Sequence, residues 1–413
     1  MRGEQTLPRQ FTWLWAAYAV STCGTWLAFD AFPLIAIQVL HAEPGAVSAL
    51  AAVGPAVGAL IALPLGPWVE FRRKRPAMIT MDVVRFAALL TIPAAYALGA
   101  LSFTQLLVVS ILVGAADITF TSASGAYLKS LVRPDKLLAA NGRFEATTWT
   151  AAMLGPPLGG AAIGLLGPVV TVVTNAVSFL LSAACIQAIN DKEPQPVRTQ
   201  KQRVSACDLL EGWRLILAHS ALRRLFCNAL LVNGLIMAVS PLMAIIMLSR
   251  LGFSPWQYGL AFAAPCIGGL IGSRMARRLV PRFGQHRVMI VSGIARACWL
   301  IGLAFVRPGF AGLLLVITVE FGLITCCAVF SPVLATYRLN QIPSHLVVRT
   351  LSAWTVATKA GIAALTALWG VLAGFTGPRA AVAAAGLAIL ATPLLLPRRT
   401  QAQHTADPQL VSS

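Results

Sequence analysis

Long apolar stretches alternate with short polar ones along almost the whole chain. Each stretch is close to or above the roughly 20 residues that an α-helix needs to cross a bilayer. The pattern predicts spans at 11–38, 46–68, 77–98, 102–126, 144–165 and 168–189. A second set is predicted at 226–249, 256–276, 288–306, 309–333, 350–374 and 379–396. Gly, Pro and Ala recur inside these stretches, which suits helices in lipid, where small residues let backbones approach. The sequence therefore predicts an all-α integral membrane protein of twelve transmembrane helices. The first apolar run is far longer than the 7–15-residue core of a signal peptide, so it reads as span one.

Composition agrees with this class: 57% of residues are apolar and 11% charged, with a mean hydropathy of +0.76. An ordinary soluble domain is far more polar. The positions of the cations then give orientation. Of 32 Lys and Arg, 26 fall in alternate gaps: Arg2 and Arg9; Arg72, Arg73, Lys74 and Arg75; Lys129 to Arg143; Lys192 to Arg224; Arg274 to Arg287; Arg338 and Arg349; Arg398 and Arg399. The intervening gaps hold Arg250, Arg307 and Arg379. Loops rich in Lys and Arg stay in the cytoplasm, so both termini of a multi-pass protein of the cell membrane are expected there. Topology also accounts for the net charge of +18. The cations sit at membrane edges rather than on one face, so nucleic acid is not an expected partner.

The chain repeats itself. Residues 78–85 (MITMDVVR) align with 289–296 (MIVSGIAR) at an offset of 211, and Tyr127 and Pro134 answer to Tyr337 and Pro343. Two six-helix bundles are expected, at 1–190 and 226–397. They are joined by a cytoplasmic linker, 191–225, with an amphipathic helix at 207–217 lying on the inner membrane surface. Residues 398–413 are expected to be a disordered cytoplasmic tail.

Two six-span halves with cytoplasmic ends resemble the major facilitator superfamily. The loop Gly66-Pro67-Trp68-Val69-Glu70-Phe71-Arg72-Arg73-Lys74-Arg75 is similar to that superfamily's signature loop, with Glu70 for the usual Asp, Phe71 for a basic residue and Arg73 for the second Gly. Asp117-Ile118-Thr119-Phe120, Ala140-Asn141-Gly142-Arg143 and Gly155-Pro156-Pro157-Leu158-Gly159-Gly160 resemble the drug:proton antiporter branch that includes macrolide and enterobactin exporters. The resemblance implies a pseudo-symmetric major facilitator fold, a monomer, a small-molecule substrate and export in exchange for protons.

Candidate residues fall into three groups. Gly66, Glu70 and Arg72 to Arg75 (Arg72, Arg73, Lys74 and Arg75) are expected to form a cytoplasmic gate latch, extended by Asp82 and Arg85 three apart on one helical face, with Glu145 near the same side. The competing reading of the basic run is orientation alone. Gly155, Pro156, Gly159 and Gly160 are expected to make span five flat and bent, so that it presses on a partner from the other half; in relatives this pattern marks antiporters. The competing reading is ordinary small-residue packing. The third group is the ionisable residues within spans: Asp30, Asp117, Glu320, Lys359 and Arg296. A charge near the bilayer centre costs at least ~2.5–3.5 kcal/mol unless it meets a cavity or a partner. Asp30 and Asp117 are the first choices for a proton carrier, since a desolvated carboxylate takes up a proton readily. Glu320 and Lys359 are expected to pair across adjacent spans, in a structural ion pair that could equally bind an anionic group on a substrate. For each acid the competing reading is a static ion pair.

No phosphate-binding Gly-x-x-x-x-Gly-Lys loop occurs, so no internal ATP engine is expected. The five His and eight Cys show no metal-ligand spacing, and no cofactor or metal is expected. With the resemblance setting the direction, the expected function is a proton-coupled secondary transporter exporting an amphipathic drug-like molecule or a siderophore, as in multidrug resistance, by alternating access. Metabolite uptake is the alternative within transport. A polytopic enzyme or sensor would show clustered polar chemistry at a membrane edge, and none is visible.

Overall fold

The computed structural model describes residues 7–28, 31–42, 72–189 and 206–397, together with Leu50, Val57, Gly58, Leu60, Ile61 and Leu65 of the predicted second span and Val69 just after it. Among the described residues, eleven helices are long and apolar enough to cross a bilayer. Apart from those six positions, the second predicted span lies outside the described residues, as do Asp30, Gly66 and Glu70.

In the first half, span one is Arg9–Leu27 followed by Ala31–Gln38, span three Lys74–Ala97, span four Phe103–Leu131, span five Leu137–Leu166 and span six Pro168–Gln187. In the second half, span seven is Ser220–Ala244 with a π turn at Ile245–Arg250. Span eight is Pro255–Ala263 plus Cys266–Phe283, and span nine is Gln285–Ala297 with a 3-10 turn at Leu300–Phe305. Spans ten, eleven and twelve are Phe310–Gln341, Val347–Thr376 and Pro378–Ala391. Spans five and ten run several residues beyond their apolar stretches. Hydropathy marks the greasy part, whereas the backbone ladder continues into polar surroundings until a cap stops it.

The repeat extends from sequence to backbone. At an offset of 210, Gly167-Pro168 and Gly377-Pro378 make the same break, with glycine φ of 83° and 85° and proline opening the next helix. Only glycine adopts that left-handed φ freely, and proline at the first helical position loses no needed donor. The 3-10 turns Pro134–Lys136 and Ser344–Leu346 repeat likewise. Packing follows suit. Span one lies on spans five and six, and span three on four and six; span seven lies on eleven and twelve, and span nine on ten and twelve. The result is two pseudo-symmetric bundles.

The apolar core shows how these bundles meet. On the side of the basic loops, one continuous cluster takes Phe11, Met78, Leu128 and Leu137 from the first half and Leu339, Val347, Val348 and Leu351 from the second. Toward the opposite side, the first half is packed by Ile35, Leu89, Leu106 and Phe179, and the second by a separate cluster around Leu235, Leu242 and Leu323. The halves are thus sealed together on the basic side. Spans four and five carry the contact from the first half, with spans eight, ten and eleven from the second.

Glycines set the closest approaches, and here one expectation is corrected. A Cβ at Gly155 would fall 2.5 Å from Trp26 Cβ, and one at Gly159 would fall 2.0 Å from the Leu27 carbonyl oxygen. The flat face of span five therefore presses on span one of its own half rather than on the other half; Gly160 faces open space. Helix Leu137–Leu166 passes through Pro156 and Pro157 without a break. Contact with the other half falls one to two turns earlier, where Trp149 covers Gly269 of span eight. The linker helix, Ala206–Ala218, packs on protein as well: Gly212 sits against the Arg349 carbonyl of span eleven, Glu211 pairs with the Arg349 side chain, and Trp213 meets Phe226 edge-on.

A valine at Gly159 would have to displace backbone, so it is expected to destabilise the protein by about 1–3 kcal/mol and lower its melting midpoint in detergent. Gly160→Ala should leave the midpoint unchanged. Equal midpoints for both variants would refute the close contact with span one.

Candidate functional site

The embedded charges of spans three, four and eleven form one chain. Asp82 and Arg85, an (i, i+3) pair on span three, are 0% and 3% exposed and bonded to each other. The Arg85 guanidinium lies between two rings, 4.5 Å from the centre of Phe120 and 4.1 Å from that of Phe179. Cation–π attraction of this kind steadies a cation that water cannot reach. Its other amine reaches Asp117 Oδ1 of span four at 3.4 Å, and Asp117 Oδ2 stands 3.4 Å from Lys359 Nζ of span eleven. The last pair joins the two halves. It is also the wettest, with side chains 48% and 36% exposed.

The Arg85 guanidinium turns inward to Asp117; Gly66 and Glu70 of the loop, to which it and Asp82 are expected to connect, lie outside the described residues. One expectation is corrected. Lys359 does not pair with Glu320, because its ammonium is held by Asp117 from the other half. Glu320 is buried on another face of span ten, toward Tyr258 and Cys266 of span eight. Glu145 accepts a hydrogen bond from Trp149 Nε1 at 2.9 Å, within its own span and next to the inter-half contact. In the basic run, Arg75 donates to the carbonyls of Ile186 and Gln187 at the C-terminus of span six. A cation there satisfies carbonyls that have no partner in the helix. Lys74 Nζ donates to the carbonyls of Val69 and Arg72. Arg72 and Arg73 are exposed.

Span nine carries the pseudo-symmetric counterpart. Arg296, at the repeat position of Arg85, stacks 3.6 Å from the Phe330 centre, as Arg85 does on Phe120, and bonds to Asn228 Oδ1. Asn228 in turn donates to the Thr392 carbonyl at 2.8 Å. Where span four has Asp117, span ten has Cys327. The scaffold is copied; the acid is not.

On the basic side of the Asp117–Lys359 pair the halves close over a cavity of about 180 Å³, whose walls include Tyr18, Phe120, Leu128, Asn141, Arg338 and Leu351. Below and around it, hydrogen bonds tie half to half: Ser352 to Ser122 at 2.9 Å, Asn141 Nδ2 to Thr336 Oγ1 at 3.0 Å, and Lys129 Nζ to the Ile342 carbonyl. Gly125 adds a close approach to Leu351. Sequence reasoning assigned Arg338 and Arg349 to a loop. Both lie in helices, Arg338 lining the cavity between the halves against the Trp354 ring and Arg349 bonded to Glu211 of the linker helix. Chemically, the arrangement can do one simple thing: a proton on Asp117 would cancel the attraction that spans the halves.

Residues 14–336 match the family model described as Major Facilitator Superfamily. The chain is 24% identical over 390 residues, 90% of each chain, to the protein named multidrug efflux pump Tap of Mycolicibacterium fortuitum. Among solved structures it is similar to a bacterial homologue of the iron transporter ferroportin in an outward-facing state, with a TM-score of 0.81, 16% identity and coverage of 94% of this chain and 98% of that one. It is also similar to the human organic anion transporter MFSD10 (TETRAN), with a TM-score of 0.75, 15% identity and coverage of 94% and 100%. Twin helical bundles, charges paired at membrane depth and a family match across most of its length lead to one conclusion: the chain belongs to the Major Facilitator Superfamily, as a multi-pass membrane transporter and not an enzyme.

Proposed function

We propose that this transporter exports an amphipathic, drug-like small molecule or a siderophore in exchange for protons, by alternating access in the cell membrane with both termini in the cytoplasm. The observation that carries the reading is the Asp117–Lys359 pair, an acid of one half holding a base of the other at the floor of the space between them. The basic side is then the cytoplasmic side, and the sealed arrangement is the outward-facing state. A proton arriving from outside neutralises Asp117 and frees Lys359. One of the ties that keep the cytoplasmic side shut is lost, and the equilibrium moves toward the inward-facing state. There Asp117 gives the proton to the cytoplasm, and substrate loading drives the return. The sign is fixed by charge: protonation weakens the closed cytoplasmic seal and never strengthens it. The similarity to a protein named as a multidrug efflux pump supports the outward direction.

Arg85 serves this scheme as a fixed post. Held by Asp82 and two rings, it keeps Asp117 in place from behind while the front oxygen is shared with Lys359. A half-exposed ion pair is worth only about 0–1 kcal/mol, which suits a contact that is broken in every cycle. Removing one member of the buried Asp82–Arg85 pair is expected to cost several kcal/mol, roughly 3–5 for such pairs, and so to damage folding rather than coupling.

Asp117→Asn should abolish uphill accumulation of a lipophilic substrate in inverted vesicles with an imposed proton gradient, while downhill exchange and substrate binding persist. Wild-type accumulation and pH dependence in that variant would remove Asp117 from the proton path. Alternating access is tested by the pair Ser122→Cys with Ser352→Cys. Oxidation should cross-link them and stop transport, and reduction should restore it; full transport by the cross-linked protein would refute movement at this seal. A reporter fused after Ser413 should be active only as a cytoplasmic type, and periplasmic-type activity would overturn the orientation.

A further inference from the structure

The cavity on the basic side of the Asp117–Lys359 pair has one charged wall. Arg338, three residues before the end of span ten, lays its guanidinium 4.7 Å from the centre of the Trp354 ring. Its Nε is out of contact with solvent and has no hydrogen-bond partner. Among the described residues no acid is in ion-pair range of it, whereas Arg85 has two acids and Arg349 has Glu211. The fold does not require a cation at this place. At the repeat position, 210 residues earlier, stands Leu128, which lines the same cavity from the opposite half.

The rest of the lining is matched to such a cation. Thr121 and Ser124 of span four face the cavity, and neither hydroxyl is hydrogen-bonded among the described residues. Their neighbours behave differently: Thr119, Ser122, Thr355 and Thr336 each donate to the carbonyl four residues earlier in the helix. Tyr18, Phe120 and Phe144 supply an aromatic wall, and no acid is among the described lining residues. Two embedded acids stand near this lining: Asp117, one turn away and neutralised on both sides by Arg85 and Lys359, and Glu145, next to Phe144 and close to Tyr18, whose carboxylate accepts a hydrogen bond from Trp149 Nε1. An unpaired guanidinium, two unused hydroxyls and an aromatic wall are complementary to an anionic group carried on a ring.

We infer that this cavity is an anion-recognising subsite of the transport path, anchored by Arg338, and that its ligands are aromatic molecules bearing a carboxylate or sulfonate. The inference rests on the transport reading only in taking the cavity as part of the substrate path; binding itself needs no gradient. The volume of about 180 Å³, the liquid volume of about six waters, is on the scale of a one- or two-ring group. The anion lies under the Asp117–Lys359 pair, so the subsite is within reach of a second cation whenever Lys359 is released.

Equilibrium dialysis of the purified full chain in lipid nanodiscs, at neutral pH and without a gradient, tests this with 2-naphthoate as the probe. 2-Naphthamide and 2-naphthylmethylammonium serve as the neutral and cationic counterparts. The native chain is expected to bind the carboxylate roughly tenfold or more tightly than the amide, as charged hydrogen bonds allow. Arg338→Gln should erase that preference while leaving amide binding and the melting midpoint unchanged; Arg338→Lys should keep part of it. Equal binding of carboxylate and amide by the native chain, no binding of the carboxylate, tighter binding of the ammonium, or a preference that survives Arg338→Gln would each overturn the assignment. Loss of proton coupling in other variants leaves the measurement untouched, so the two readings fail separately.

Discussion

A charge withdrawn from water must find a partner, and this constraint organises the interior of the molecule. Arg85 could not lie at membrane depth without Asp82, Asp117 and the rings of Phe120 and Phe179 around it. Lys359 could not point from span eleven into the first half without Asp117 to meet it. Spans three, four, six and eleven are therefore placed relative to one another by four ionisable side chains as much as by apolar packing. The gradation in exposure matters: the chain of charges is dry at Asp82 and half wet at Lys359. Its dry end is architecture, and its wet end opens to the space between the halves.

The remaining hydrogen bonds described between the halves are not ion pairs. A serine pair, an asparagine on a threonine and a lysine on a backbone carbonyl surround a small apolar seal. Each is worth about 1 kcal/mol or so. Such a seam closes in register because its partners are specific, and it opens because none is strong. The rigid parts lie elsewhere, in the glycine-mediated contact of span five with span one and of span eight with span ten. Two bundles with close internal contacts thus meet at a seam of weak ones.

Much of this was legible in the residues. Hydropathy and the Lys and Arg alternation located the spans, and the Met78 and Met289 repeat announced the twofold plan, because both depend on composition and period alone. Asp117, Lys359, Arg85 and Arg296 stood out as ionisable residues in apolar stretches. Their pairing was not legible: Lys359 is sequence-close to Glu320 and sequence-distant from Asp117, and only the packing of one half on the other decides between them. The same limit explains span five, whose glycines mark a close approach without naming the neighbour. Arg338 was hidden because its position near a helix end looks like any loop cation until the first half packs against it.

The two halves are near-copies in backbone, down to the arginine stacked on a phenylalanine, yet Asp117 of one corresponds to Cys327 of the other. A duplicated scaffold has been divided in labour: one copy keeps a titratable side chain beside its arginine, and the other keeps a soft, small, neutral one. A carboxylate thus stands beside the arginine of one half and a thiol beside that of the other. Together with Arg338, whose repeat position is Leu128, this place makes unequal a machine built from near-equal parts.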